Sequence, residues 1–88
     1  MLFRSHDELA SSRYCLADPG REYLVYLPAG GRVTVDLSKA AGAFAVEWFH
    51  PETGETKHAG PARGDRPVAL DSPFRAGDAV LYLKQVRW

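Results

Sequence analysis

The chain has 88 residues and a single cysteine, Cys15, so it cannot close an internal disulfide. Cys15 sits between Tyr14 and Leu16 with no base nearby, and it reads as a buried thiol behaving as a small hydrophobe. Net charge is also missing, because eleven basic residues balance eleven acidic ones. That balance argues against the basic face of a nucleic-acid binder and against a polybasic membrane anchor. No apolar run is long enough for a signal peptide or a membrane helix. A domain taken from the C-terminal end of a longer chain would read the same way, so the compartment stays open. His6, His50 and His58 are the only histidines, and they lack the short spacing and the cysteine cluster of a zinc site. His50 and His58 can approach across a hairpin, where solvated turn residues are the expectation. There is no nucleophile elbow, no phosphate-binding glycine loop and no carboxylate pair suited to acid–base work. Asp65, Asp71 and Asp78 fall in loops and are expected to make turn hydrogen bonds rather than bind calcium. The expectation is no catalytic residue, no metal and no cofactor, hence no enzyme.

What the chain does have is β-strand patterning. Phe44-Ala45-Val46-Glu47-Trp48-Phe49 is followed by His50-Pro51-Glu52-Thr53-Gly54 and then by the polar run Glu55-Thr56-Lys57-His58. Pro51 suits an early turn position and Gly54 can take the positive φ that closes the turn, so this stretch predicts a hairpin. Strands are expected at residues 13–16, 22–27, 32–37, 44–50, 55–58, 67–70 and 79–86. Turn residues separate them at Asp18-Pro19-Gly20, Pro28 to Gly31, Gly42, Gly60-Pro61, Gly64-Asp65 and Gly77-Asp78. This rhythm predicts an all-β fold, a small antiparallel sandwich of six to eight strands with at most a short N-terminal helical turn. A domain of this size buries about 60–65% of its unfolded surface, which makes for modest stability.

Alternation assigns the faces. Tyr23, Val25 and Leu27 oppose Leu24 and Tyr26; Phe44, Val46 and Trp48 oppose Ala45, Glu47 and Phe49; Val80 and Tyr82 oppose Leu81 and Leu83. The expected core is Val25, Leu27, Val33, Val35, Leu37, Phe44, Val46, Trp48, Val68, Leu70, Leu81 and Leu83. Strands 22–27 and 79–83 are apolar on both faces, so they are central or covered. Residues 1–12 read as a lead-in segment ahead of the sandwich at 13–88. Ser5 and Glu8 form a capping-box pattern that predicts a helical turn over residues 6–10; a frayed terminus is the alternative. Leu2, Phe3 and Trp88 are large apolar residues at the ends. They either fold back onto the sandwich or leave a patch through which the chain self-associates.

Three segments, in order, resemble a known family. They are Ala17-Asp18-Pro19-Gly20-Arg21-Glu22-Tyr23-Leu24-Val25-Tyr26-Leu27-Pro28, then Val46-Glu47-Trp48-Phe49-His50-Pro51-Glu52-Thr53-Gly54, then Ser72-Pro73-Phe74 with Gly77-Asp78-Ala79-Val80-Leu81-Tyr82-Leu83. The chain is similar over residues 13–84 to the "putative collagen-binding domain of a collagenase". The resemblance implies a C-terminal β-sandwich of bacterial proteins whose main domain is a glycoside-hydrolase-like (β/α)₈ barrel. The catalytic carboxylates of such proteins belong to the barrel. The family hairpin often has Asp or Asn where this chain has His50, and an Asx side chain caps such a turn through its own hydrogen bond.

Aromatic rings are the one ligand-binding feature. Tyr14, Tyr26, Phe49, Tyr82 and Trp88 are the candidates, weighed against packing within the sandwich or against a neighbouring domain. Trp48, with Phe44 and Val46 on its face, is assigned to the core. The resemblance implies a non-catalytic accessory domain that buttresses a catalytic barrel or assists polysaccharide binding. The alternative is an autonomous adhesive module that binds collagen or another protein. Neither nucleic acid nor membrane is an expected partner. An exposed line of aromatics would favour a polymer; one compact apolar patch near Leu2, Phe3 and Trp88 would favour a neighbouring domain.

Overall fold

A computed structural model of the chain describes residues 4–38, 40–74 and 77–86. Leu2, Phe3 and the candidate Trp88 lie outside the described residues, and so does the question their apolar character raised. The described residues form eight strands and one 3-10 turn: β1 (Arg4–Ser5), the turn Asp7–Leu9, β2 (Cys15–Asp18), β3 (Glu22–Leu27), β4 (Arg32–Asp36), β5 (Ala43–Phe49), β6 (Thr56–Arg63), β7 (Pro67–Asp71) and β8 (Ala79–Val86). The fold is all-β, as the strand rhythm predicts. A six-stranded sheet has the order β1-β2-β3-β8-β5-β6, and β4 pairs with β7 in a two-stranded sheet. Every pairing is antiparallel.

The core lies between the sheets because alternate residues of each strand point inward. Tyr23, Val25 and Leu27 of β3, Leu81 and Leu83 of β8, and Phe44, Val46 and Trp48 of β5 are all buried. Val33 and Val35 of β4 and the following Leu37 join them in one cluster. Trp48 is 1% exposed, as its alternation with Phe44 and Val46 predicts. Val68 and Leu70 were expected in the core but are only half-buried. They sit on β7, whose sheet has just two strands and therefore covers its own edges poorly. Small buried residues complete the core: Ala10, Cys15, Ala17, Ala40, Ala62 and Ala79.

Two local readings need correction. The capping box at Ser5 and Glu8 does not form, and the 3-10 turn has no side-chain cap at His6. Ser5 instead donates to the Asp7 carboxylate at 3.2 Å, and Asp7 Oδ1 accepts the Cys15 amide at 3.0 Å. A three-residue turn is too short to need a cap, so its acidic residue ties the segment to β2. Gly60-Pro61 is not a turn but part of β6. Phe44 pairs with Ala62 and Val46 with Ala59, so β6 carries one extra residue there. This bulge absorbs a proline that has no amide to donate, and β6 is an edge strand, where proline is tolerated.

The hairpin at β5–β6 closes as expected. The His50 amide donates to the Glu55 carbonyl at 2.8 Å, the Gly54 amide donates to the His50 carbonyl at 2.8 Å, and Gly54 has φ +77°. His50 does the work of an Asx side chain, since its Nδ1 accepts the Glu52 amide at 3.3 Å. Its ring is buried edge-on against Phe74, with centroids 4.9 Å apart. At the opposite turn, Gly64 has no room for a side chain, because a Cβ there would lie 2.2 Å from the Ala40 carbonyl oxygen. The Asp65 amide bonds that same carbonyl at 2.7 Å.

Trp48→Ala is expected to cost about 3–5 kcal/mol, read from the denaturant midpoint at unchanged slope. An unchanged midpoint would show that Trp48 does not carry core energy. Gly64→Ala should destabilise by more than Gly54→Ala, whose only obstacle is a left-handed backbone costing about 1–2 kcal/mol. The reverse order in the same assay would contradict the close approach at Ala40.

Candidate functional site

The two outer faces of the sandwich differ. The outer face of the two-stranded sheet carries Arg32, Thr34 and Asp36 against Asp71, Ala69 and Pro67. Arg32 meets Asp71 head-on, with bonds at 2.8 and 3.2 Å, in an exposed pair of small energetic value. The outer face of the six-stranded sheet is apolar across β2, β3 and the start of β8, and carries Glu47, Lys84 and His58 towards its other side. Among the described residues the exposed large apolar side chains are Tyr14, Leu16, Tyr26 and Phe49, at 54, 45, 37 and 41% exposure. All four lie on this one face.

Strand register arranges them in two rows, because side chains directly opposite each other share a face. In the first row Tyr26 of β3 stands opposite Val80 of β8, and Val80 opposite Phe49 of β5. The Tyr26 amide donates to the Tyr14 carbonyl at 2.9 Å, which extends the row by one position. In the second row Leu16 opposes Leu24, Leu24 opposes Tyr82, and Tyr82 opposes Glu47. Four of the five candidate rings, Tyr14, Tyr26, Phe49 and Tyr82, therefore stand on the same surface. Tyr14 and Tyr26 touch edge to face, with centroids 5.7 Å apart and planes at 67°. Between them and Leu16, Leu24 and Val80 lies a groove of about 270 Å³, with Asp7 in its wall.

Carboxylates hold two of the rings in place. The Tyr26 hydroxyl donates to Asp78 Oδ2, and Asp78 Oδ1 accepts the Ala29 amide at 2.8 Å. Asp78 thus fixes both a ring and the turn after β3. The Tyr26 hydroxyl, and then the Ala29 amide, hold the Asp78 carboxyl below the usual carboxylate range. The Tyr82 hydroxyl donates to Glu22, a buried carboxylate, and that bond pushes the phenol up to about 12. Both phenols stay protonated through the neutral range; Tyr82 turns its hydroxyl to the buried Glu22, and Tyr26 meets Asp78 at the surface. Cys15 lies beneath this face, 2% exposed; burial, with Asp7 and Glu8, pushes its thiol up to about 11, the opposite of an activated nucleophile. Among the described residues no three His, Cys, Asp or Glu side chains gather where they could hold a metal ion.

Alternation alone placed Leu24, Tyr26, Phe49, Val80 and Tyr82 outward. It did not single out Leu16, because the β2 strand starts two residues later than its flanking pattern suggests. Nor could it find Asp78 and Glu22, which reach their tyrosines across 52 and 60 residues of sequence. The turn role that the sequence predicts for Asp78 is also present, through Ala29.

The Asp78 shift has a testable sign. Its contribution to stability is complete above the unfolded-state value of 3.8 and is lost as the pH falls through its lower folded value. Asp78→Asn should therefore flatten part of the acid limb of stability below about pH 4, measured by urea unfolding across that range. An acid limb identical to that of the parent chain would show that the Tyr26–Asp78 bond is not made in solution.

The comparisons with known proteins agree with this architecture. The fold is similar to part of a solved chain described as "Glycoside hydrolase", with TM-score 0.65 and 17% identity, covering 97% of this chain and 19% of that one. It is also similar to a glycoside hydrolase family 5 structure from Bacteroides vulgatus ATCC 8482, with TM-score 0.66 and 20% identity, covering 84% of this chain and 17% of that one. At such identities the likeness is one of fold. The chain spans about a fifth of the length of these two structures. No curated protein matches the sequence. The family model described as "Putative collagen-binding domain of a collagenase" matches residues 4–84, nearly the whole chain, and the chain belongs to that family.

Proposed function

We propose that this chain is a non-catalytic accessory β-sandwich that packs the outer face of its six-stranded sheet against a glycoside-hydrolase-like catalytic domain. One observation carries the reading: the exposed large apolar side chains among the described residues stand together on that face, in adjacent rows. A contiguous apolar surface of this kind marks an interaction site on a soluble domain. The solved neighbours support it, since their similar fold accounts for only a fifth of a longer glycoside hydrolase chain.

A second reading has an observation of its own. Tyr14, Tyr26 and Phe49 fall on one line across the strands, and a line of rings suits a linear polymer such as a polysaccharide or collagen. The ring planes weigh against a sugar platform. Tyr14 and Tyr26 stand at 67°, so they cannot present a common flat surface to successive sugars.

The test begins with the reading frame upstream of Met1, which should encode a barrel. Expressed separately, barrel and accessory chain should re-associate, and Val80→Arg should abolish the association while leaving the far-ultraviolet spectrum intact. The isolated chain should release no sugar from polysaccharide and no peptide from collagen. A frame with no barrel, or association untouched by Val80→Arg, would sink the docking reading. Turnover lost on a point substitution within the chain would sink the non-catalytic one.

A further inference from the structure

We infer that the groove between Tyr14, Leu16, Leu24, Tyr26 and Val80 receives a single apolar side chain of a partner protein, one flanked by an arginine or lysine. The inference rests on the docking reading above and names the chemistry of the contact.

Size comes first. The groove holds about 270 Å³, at the lower edge of the roughly 300–1,000 Å³ of sites that enclose a small-molecule ligand. A side chain fits that scale. Polarity comes second. The walls are tyrosine faces and aliphatic carbon, and the Tyr26 hydroxyl is already committed to Asp78. On the adjoining row the Tyr82 hydroxyl is committed to Glu22. A sugar, whose hydroxyls each need a partner, would find few here. An apolar side chain needs none.

Charge decides the flank. Asp7 stands in the groove wall, and Asp78 stands at the hydroxyl end of Tyr26. The groups that bond them are neutral: the Cys15 amide and Ser5 hydroxyl for Asp7, the Ala29 amide and Tyr26 hydroxyl for Asp78. The ion pairs among the described residues join His6 to Glu8, Arg32 to Asp71, Lys57 to Glu55 and His58 to Glu47, so neither aspartate has a cation within pairing distance there. The whole chain is neutral, yet the groove wall carries the Asp7 carboxylate with no ion-pair partner among the described residues; Asp78, outside the groove at the far end of Tyr26, also feels the charge of His50. A partner with a basic residue beside its apolar one supplies the missing charge, and one with an acidic residue there is repelled.

Two probes separate the cases: N-acetyl-Trp-Arg-amide and N-acetyl-Trp-Glu-amide, titrated into the 88-residue chain with the methyl resonances of Leu16, Leu24 and Val80 as readout. The basic peptide should shift them at roughly threefold lower concentration than the acidic one. The preference should shrink with added salt and vanish in Asp7→Asn, which keeps an oxygen for the Cys15 amide. Val80→Arg should abolish both titrations. Equal affinity for the two peptides, or shifts that leave these methyls unmoved, would overturn the inference. So would shifts of the same methyls by cello-oligosaccharide alone, which would make the occupant a glycan. Methyl shifts that track protein concentration without peptide would make the occupant a second copy, and would overturn it as well. Failure of the barrel to re-associate, with peptide selectivity intact, would count against the docking reading alone.

Discussion

The pairing of β8 between β3 and β5 is the constraint on which the rest of the structure depends. Residues Glu22–Leu27 bind one edge of β8 and Ala43–Phe49 bind the other. Without β8 the six-stranded sheet divides into β1-β2-β3 and β5-β6, each too small to cover the core alone. Its inward residues Ala79, Leu81 and Leu83 are fully buried, and its outward residues Val80 and Tyr82 stand mid-row on the apolar surface. One strand therefore joins the core and builds the site. Because it comes last in the chain, these contacts span some of the longest sequence separations available. Folding is then expected to be slow for the domain's size, with the central pairing among the non-local steps.

Much of this was legible in the sequence, for a physical reason. Strand periodicity is two, so a run such as Phe44 to Phe49 declares both faces at once, whatever its partners. That is why Trp48 could be placed in the core and Phe49 on the surface before any pairing was known. Residues 22–27 and 79–83, apolar on both faces, signalled strands with something on either side. They prove central in the sheet, and their outer faces remain open among the described residues. His50 is the converse case. Its turn position was evident, but that its imidazole would accept the Glu52 amide, as a shorter Asx side chain would, depended on the ring's seat against Phe74.

What escaped the sequence is mostly pairing information. The two-residue strand Arg4–Ser5 has no periodicity to read; it exists because β2 offers an edge, with Arg4 set opposite Ala17 and Ser5 opposite Leu16. The Ala10–Val35 bridge and the Thr34 amide bond to Ser11 are of the same kind, and they lace the segment before β2 to the second sheet. Gly60-Pro61 misled because glycine and proline punctuate turns far more often than they occupy bulges. An edge strand is the setting that lifts the penalty, and edge position is a property of topology.

The tyrosines show how the fold shapes a binding surface beyond supplying hydrophobic area. An exposed ring ordinarily loses rotamer freedom when a partner immobilises it, at about 0.5–1.5 kcal/mol per side chain. Tyr26 and Tyr82 have surrendered much of that freedom in advance, since Asp78 and Glu22 hold their hydroxyls. Asp78 is itself held by the turn at Ala29, so the order of the ring derives from backbone. Phe49 and Tyr14 lack such anchors in the bonds described, and they occupy the two ends of the row. The surface is thus firm at its centre and adaptable at its margins. Such a gradient suits a contact in which one central side chain is seated first and the rim adjusts around it.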